Sequence, residues 1–209
     1  KSAYRRAHYP AEFIAAVVSN RGGYYSAFAY LSEGRRMGLT ILPPDINASG
    51  WAYSGSGKTV RVGFMQIKGL QEDLAKQIVA EREMHGPYRS LSDALRRLEL
   101  DYAQAKLLIK AGCLDSIAGE LTRPALLWRV LTAQATKPPS FIPIPAEYSA
   151  QKRLHHELTL FGFPLHCHPL DLFTELLAAT TRIVAKDLAQ YVGKEVTLIG
   201  WLLTEKIVA

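Results

Sequence analysis

The sequence predicts a mainly helical protein with a small β-hairpin near residue 55 and a β segment at its C-terminal end. Three observations carry this. Apolar residues recur at helical spacing, as Phe13, Ile14, Val17 and Val18 do, and again Leu74, Ile78 and Val79. Glycine or proline stands at the ends of most such stretches, for example Pro10, Gly38, Gly112 and Gly162. Around Ser54-Gly55-Ser56-Gly57-Lys58, and again over 193–208, the spacing turns to that of strands.

In order, residues 1–36 read as helical. Nothing before Ser2-Ala3-Tyr4 could serve as an N-cap, so the chain is expected to start inside a helix. Pro10 suits the first turn of the next helix, and Phe13, Ile14, Val17 and Val18 form its stripe. Gly22-Gly23 ends that helix. Tyr24 opens another to about Met37, which Gly38 stops. Residues 39–42 are a short buried strand, broken by Pro43-Pro44-Asp45. Residues 51–53 and 59–64 then flank a flexible hairpin tip at 54–58. The GSGKT string in that tip is not a P-loop: Ala52 stands where its first glycine is required, and a strand pattern follows Lys58 instead of a helix.

Further along, an apolar run at 62–67 leads through the polar turn Lys68-Gly69-Leu70-Gln71 into a helix over 72–82, with Glu72 and Asp73 in its first turn. Gly86-Pro87 turns the chain. Ser90 and Asp93 are spaced as a capping-box variant for a helix through Leu98, and Glu99-Leu100-Asp101 joins it to a helix over 103–111, with Leu107, Leu108 and Ala111 inward. Thr122 caps a helix through Gln134, with Pro124 in its first turn. Four prolines in 136–145 mark a linker, the best domain boundary in the chain. Helices follow over 148–161, from His168-Pro169 to about Ala179, and over 185–192. The alternation in 193–208 gives one or two strands with no partner elsewhere in the sequence. The chain is therefore expected to be a fragment cut inside a β domain.

Composition narrows the function. The 209 residues are 48% hydrophobic and 21% charged, ordinary for a folded domain or two, with no apolar run near the ~20 residues of a membrane span. Cys113 and Cys167 are the only cysteines, which fits a reducing cytoplasm and no disulfide framework. The net charge is +6 and the pI about 9.3. Residues 1–36 alone carry six cations against Glu12 and Glu33. The excess hints at a polyanionic partner, a solvated basic face being the plain alternative.

The turn at 68–71 is where that partner would bind. A glycine hairpin entering a helix N-terminus aims backbone amides outward, and Lys68 adds a charge beside them. The stretch resembles the helix-hairpin-helix motif of sequence-independent DNA binders. Ile67, Gly69 and Leu70 match it, while Gln71 stands in place of the second glycine. Lys68, Gly69, Leu70 and Gln71 are the candidate phosphate contacts, with Lys76 on the following helix. They would give affinity without sequence readout. A second helix-turn-helix unit follows before Gly112; having no glycine in its hairpin, it is expected to be structural.

Several strings then resemble the bacterial C-family DNA polymerases, of the DNA polymerase III alpha subunit type. They are His8-Tyr9-Pro10-Ala11-Glu12-Phe13, Arg36-Met37-Gly38, Leu42-Pro43-Pro44-Asp45-Ile46-Asn47, Val62-Gly63-Phe64 before Lys68-Gly69-Leu70, and Gly86-Pro87-Tyr88 before Ser90-Leu91. Leu108-Ile109-Lys110-Ala111-Gly112, Phe161-Gly162-Phe163, His168-Pro169-Leu170 and Gly193-Lys194-Glu195-Val196 complete the order. The resemblance implies the end of a fingers domain over 1–66, a tandem helix-hairpin-helix DNA-binding module over 67–118, a helical connector over 119–180 and the start of an OB fold over 181–209. It implies a double-stranded primer-template as partner, holoenzyme subunits as further partners, and Mg²⁺ in the whole polymerase. It also implies a potassium or sodium ion at the hairpin. Arg5, Arg6, Arg35 and Arg36 would contact template or nucleotide if they face the cleft.

The sequence departs from that family in two places. Residues 137–144 lack the glutamine-to-phenylalanine peptide that binds the sliding clamp, and His166-Cys167 replaces a small Ser-Gly pair. No Asp-x-Asp pair offers the carboxylates that nucleotidyl transfer needs to hold two metal ions. The family's catalytic aspartates belong to a palm domain outside these residues, so the chain alone is expected to be inactive. Asp45 and Asp171 read as turn or cap residues. His155, His156, His166, Cys167 and His168 cluster without the spacing of a zinc site. A stand-alone helix-hairpin-helix module of a repair or scaffold protein is the other reading.

Overall fold

The computed structural model describes residues 2–21, 24–133 and 144–202. Its elements are helices α1 (Ser2–His8), α2 (Pro10–Ser19) and α3 (Ala27–Arg36), then strands β1 (Thr40–Leu42), β2 (Ser54–Ser56) and β3 (Thr59–Arg61). A 3-10 turn at Phe64–Gln66 precedes α4 (Glu72–His85), α5 (Leu91–Leu98), α6 (Tyr102–Lys110) and α7 (Arg123–Ala133). After the linker come α8 (Ala150–Phe161), a 3-10 turn at Pro169–Phe173, α9 (Thr174–Ala179) and 3-10 turns over Ala185–Tyr191. The protein is mainly helical, as the sequence predicts, with one small sheet among the described residues.

The sheet has the order β1-β3-β2. Thr40–Leu42 runs parallel to Thr59–Arg61, and Ser54–Ser56 runs antiparallel to it. The expected hairpin is present but shifted. Its tip is only Gly57-Lys58, and Ser54–Ser56, expected in the tip, is paired strand. The left-handed φ of +57° at Gly57 permits the two-residue turn that brings those residues into register. The second strand, expected over 59–64, ends at Arg61, and Phe64 already belongs to a helical turn over 64–66.

Helix α2 lies on this sheet, and the contact explains a second difference. The residues it buries are Ala11, Ile14, Ala15 and Val18, whereas Phe13 and Val17 of the expected stripe are half-buried. The alanines face the sheet because the backbones approach so closely. A Cβ on Gly55 would lie 2.2 Å from the Ala11 carbonyl oxygen. At that approach only small side chains fit between helix and strand.

One apolar core runs from α2 through β3 and the helices α4 to α7 to Phe161 and Phe163, with Val60, Phe64, Ile78, Leu108, Leu114 and Leu126 at or near zero exposure. Polar contacts fasten its parts. Asn47 and Tyr88 exchange hydrogen bonds, Nδ2 to the Tyr88 carbonyl at 2.9 Å and the Tyr88 amide to Oδ1 at 2.8 Å. Arg82 donates to the carbonyls of Ile46 and Ser49. The proline-broken segment after β1 is thereby tied to the end of α4. Arg97 lies over the Tyr88 ring at 4.2 Å and donates to the carbonyls of Glu81 and Gly86, closing the turn between α4 and α5.

Capping follows the sequence with one change. Ser90 accepts from the Asp93 amide at 3.1 Å, but Asp93 answers the Arg89 amide instead of that of Ser90. Reciprocal capping boxes are formed at α6 by Asp101 and Gln104 and at the turn after α8 by His168 and Asp171. Asp45 accepts from the Asn47 amide, and Asp171 from that of His168, so both are the turn and cap residues their proline neighbours suggest. The helix expected from His168 to Ala179 is split into a 3-10 turn and α9, and the one over 185–192 is 3-10. Residues 193–202 contain no strand. Their nearest approach to pairing is the Ile183 amide on the Thr197 carbonyl, and an isolated strand without a ladder is not stable. The rest of the expected β segment and most of the proline-rich linker, with the clamp-peptide region 137–143, lie outside the described residues.

Candidate nucleic-acid interface

The loop at 67–71 joins the 3-10 turn to α4. Ile67 and Leu70 are buried and anchor it, leaving Lys68, Gly69 and Gln71 on the surface. The Leu70 amide closes the turn on the Ile67 carbonyl at 3.1 Å, and the Lys68 amide donates to the Leu160 carbonyl at 2.9 Å. Gly69 has φ +90°, where a side chain is strained even though space is available.

Those bonds sort the candidate donors. The Lys68 and Leu70 amides are used inside the protein. The amides of Gly69 and Gln71 donate no backbone hydrogen bond among the described residues, the Gln71 carbonyl accepts from the Ala75 amide at 3.2 Å, and the Gln71 side chain does not cap α4. The outward amides are therefore those of Gly69, Gln71 and the first turn of α4. Lys68 forms no ion pair among the described residues, while Lys76 pairs with Glu72 at 3.0 Å. With Asp73 also in that first turn, the loop and α4 together are close to neutral.

The second hairpin resolves its missing glycine with Glu99, which takes the left-handed conformation at φ 48° and ψ 39°. Asp101 then accepts from the Gln104 amide at 2.7 Å, so the α6 N-terminus is capped by its own carboxylate. Two acids and an occupied N-terminus leave little to attract a phosphate.

The four arginines separate. Arg6 and Arg36 share Glu33, at 2.5 and 3.1 Å. Arg35 is half-buried and donates to the carbonyls of Pro164 and Leu165, so its guanidinium packs the loop after α8 instead of facing a ligand. Arg5 is exposed and forms no ion pair among the described residues.

The histidines also part. Glu157, buried, accepts from the Leu165 amide at 2.6 Å and bonds His166 through both its amide and Nδ1. His168 caps the turn after it by accepting from the Leu170 amide. His155 and His156 point toward α6. His156 is 4% exposed and packs edge-on against Tyr148 at 4.9 Å. Burial, then Lys110, Lys152, His155 and Arg123, push its pKa down to about 4, so it is neutral. Among the described residues no three His, Cys, Asp or Glu side chains converge as metal ligands do.

The comparisons with known proteins fit this geometry. A family model for the helix-hairpin-helix motif matches residues 38–125, which contain both hairpins. Over 99% of its length the chain is 28% identical to DNA polymerase III subunit alpha of Thermus aquaticus, covering 19% of that protein. Over nearly its whole length the chain is similar to a stretch of the bacterial DNA polymerase III alpha subunit. It is also 30% identical, over 85% of its length, to the same subunit of Treponema pallidum, of which it covers 17%. An error-prone DNA polymerase of Nocardia farcinica is 38% identical over 56% of the chain and is covered by 11%. The chain thus spans a fifth or less of these polymerases.

The structure also brings to the loop residues that sequence reasoning passed over. Lys106 and Lys110 on α6 and Lys152 on α8 line a groove beside Leu107 and Leu160, both of which approach the loop. The signal available in the sequence was the i, i+4 spacing of Lys106 and Lys110, which puts both on one helix face.

Proposed function

We propose that this chain is the duplex-gripping and fingers-end portion of a bacterial C-family DNA polymerase, whose whole-protein activity is template-directed DNA synthesis. The observation that carries the reading is the loop at 67–71. It lies within the matched helix-hairpin-helix region, with an exposed Lys68, a left-handed Gly69 and the free amides of Gly69 and Gln71. Such a loop holds a phosphate without reading a base. A bound duplex would be gripped at Lys68, Gly69 and Gln71, with Leu70 as the buried anchor and Lys76, paired with Glu72, contributing less. Arg5 is the fingers-end arginine best placed to meet template or nucleotide, ahead of Arg6, Arg36 and Arg35.

The carbonyls of Lys68 and Gly69 accept no backbone hydrogen bond among the described residues, and hard oxygens of this kind suit a potassium or sodium ion between hairpin and phosphate. The magnesium ions of nucleotidyl transfer would belong to the palm aspartates, outside this chain, so its own role is to bind and orient the duplex. Holoenzyme subunits are further partners of the whole polymerase.

The test is binding of a labelled duplex and an equal-length single strand at two salt concentrations, by the chain and by a Lys68→Glu, Gly69→Val double variant. Salt-sensitive duplex binding, lost in the variant, is expected, because phosphate contacts release counterions. Equal binding by the variant would overturn the assignment of the hairpin.

A further inference from the structure

The groove between α6 and α8 has no part in the hairpin assignment, yet it adjoins the loop directly. Its volume is about 450 Å³, and Lys106, Leu107, Lys110, Lys152, His155 and His156 line it. Lys106 and Lys110 are half-buried, and Lys152 and His155 are exposed at the rim. None of the three lysines forms an ion pair among the described residues, whereas Lys76 on α4 has Glu72. The charges that act on Lys110 are Lys106 and Lys152, with burial the largest influence, and all lower its pKa. Those that act on His156 are Lys110, Lys152, His155 and Arg123. No carboxylate enters either set. Three ammonium groups held together without a counter-charge repel one another, an arrangement that an arriving anion stabilises.

A second observation points the same way. The Nδ1 atom of His156 is buried and has no hydrogen-bond partner. Buried polar atoms are nearly always satisfied, so an orphan on the wall of a cationic groove calls for an outside partner.

We propose that this groove is a second phosphate-binding site, taking the phosphodiester backbone of the duplex next to the phosphate held at the hairpin. The proposal rests on the duplex-binding reading and deepens it. Hairpin and groove are continuous: a Cβ on Gly69 would meet Leu107 at 3.6 Å, and Leu160, which lines the groove, takes the Lys68 amide. The loop supplies outward amides but little net charge, and the groove supplies charge. Lys106, Lys110 and Lys152 are the phosphate contacts, His155 adds to the rim, and His156 Nδ1 reaches the ligand directly or through water.

The test compares the chain with a Lys106→Gln, Lys110→Gln, Lys152→Gln variant, fold and melting temperature being checked first. Duplex affinity is measured across a salt series, and the His156 ring nitrogens are followed by NMR during titration with the duplex and, separately, with inorganic phosphate. The expected result is a salt slope reduced by about 2 to 3, near one per lysine removed, with a His156 shift that the duplex produces and the variant loses. An unchanged slope in a variant that still folds would overturn the groove while leaving the hairpin reading intact. Loss of binding only in the hairpin variant would have the same meaning. No duplex binding by the unmodified chain would overturn both. A shift of His156 with inorganic phosphate but none with duplex would mark a small-anion site and overturn the DNA assignment.

Discussion

The amide of Lys68 donates to the carbonyl of Leu160 at 2.9 Å, so the hairpin is held by the last turn of a helix more than ninety residues further along the chain. The Lys68 amide is thereby removed from the phosphate donors, while its side chain remains outside. Lys68→Gln therefore separates charge from geometry. It should lower the salt slope of duplex binding by about one and leave the melting temperature within about a degree, since the backbone bond survives. A large fall in melting temperature would mean that the side chain holds the loop together.

Gly69→Val should act in the opposite way. A β-branched residue at φ +90° is strained by about 1–3 kcal/mol, although Leu107 leaves space for it. For a chain of this size that is a drop in melting temperature of several degrees. It should come with weaker duplex binding, because the loop relaxes by turning its free amides. Thermal denaturation beside a binding isotherm checks both.

Gly55→Ala tests the seam between α2 and the sheet. The added methyl would sit 2.2 Å from the Ala11 carbonyl oxygen, and both partners are backbone. Overpacking against backbone costs about 1–3 kcal/mol or more, so a clear loss of stability is expected in urea unfolding. A neutral effect would show that α2 shifts freely on the sheet.

The pH dependence follows from His156 and Glu157. His156 is held neutral, its pKa pushed from 6.5 to about 4 by burial and by Lys110 on α6, Lys152 and His155 on α8 and Arg123 on α7. Between those values the unfolded chain binds the proton and the folded chain resists it. Stability is therefore full above about 6.5 and falls as pH drops toward 4, by at most about 3 kcal/mol. Burial alone would raise the Glu157 pKa, but the hydrogen bonds from His166 and the Leu165 amide outweigh it and lower it. Its contribution is present above the ordinary carboxylate range and is lost only as pH falls through the lowered folded value. Urea midpoints from pH 7 to pH 4 should slope downward, and His156→Gln should flatten the slope above pH 4.

Much of this was legible in the sequence because local chemistry dictates it. Ser90 caps where its spacing says, and Gly38, Gly112 and Gly162 end helices or follow them, while the cap at Asp101 lies in what the sequence showed only as a tight connection. The apolar anchors Ile67 and Leu70 set the hairpin. What escaped depends on tertiary approach. The alanine face of α2 is chosen by the sheet backbone beneath it, which no helical period reveals. The commitment of Arg35 to carbonyls at 164 and 165 joins residues far apart in the chain. The lysine groove is likewise assembled from two helices that only the folded core brings together.

The second hairpin offers the final check on which turn meets the duplex. Glu99 holds the left-handed position that glycine holds in the first hairpin, and it does so with a Cβ and a negative charge. Glu99→Gly removes the backbone strain, worth about 1 kcal/mol, so the melting temperature should rise by a few degrees. The charge it removes decides the functional point. If the second hairpin only packs the module, duplex affinity should stay within about twofold. A salt-dependent rise well beyond that would place Glu99 against the phosphates and give the second turn a share of the grip.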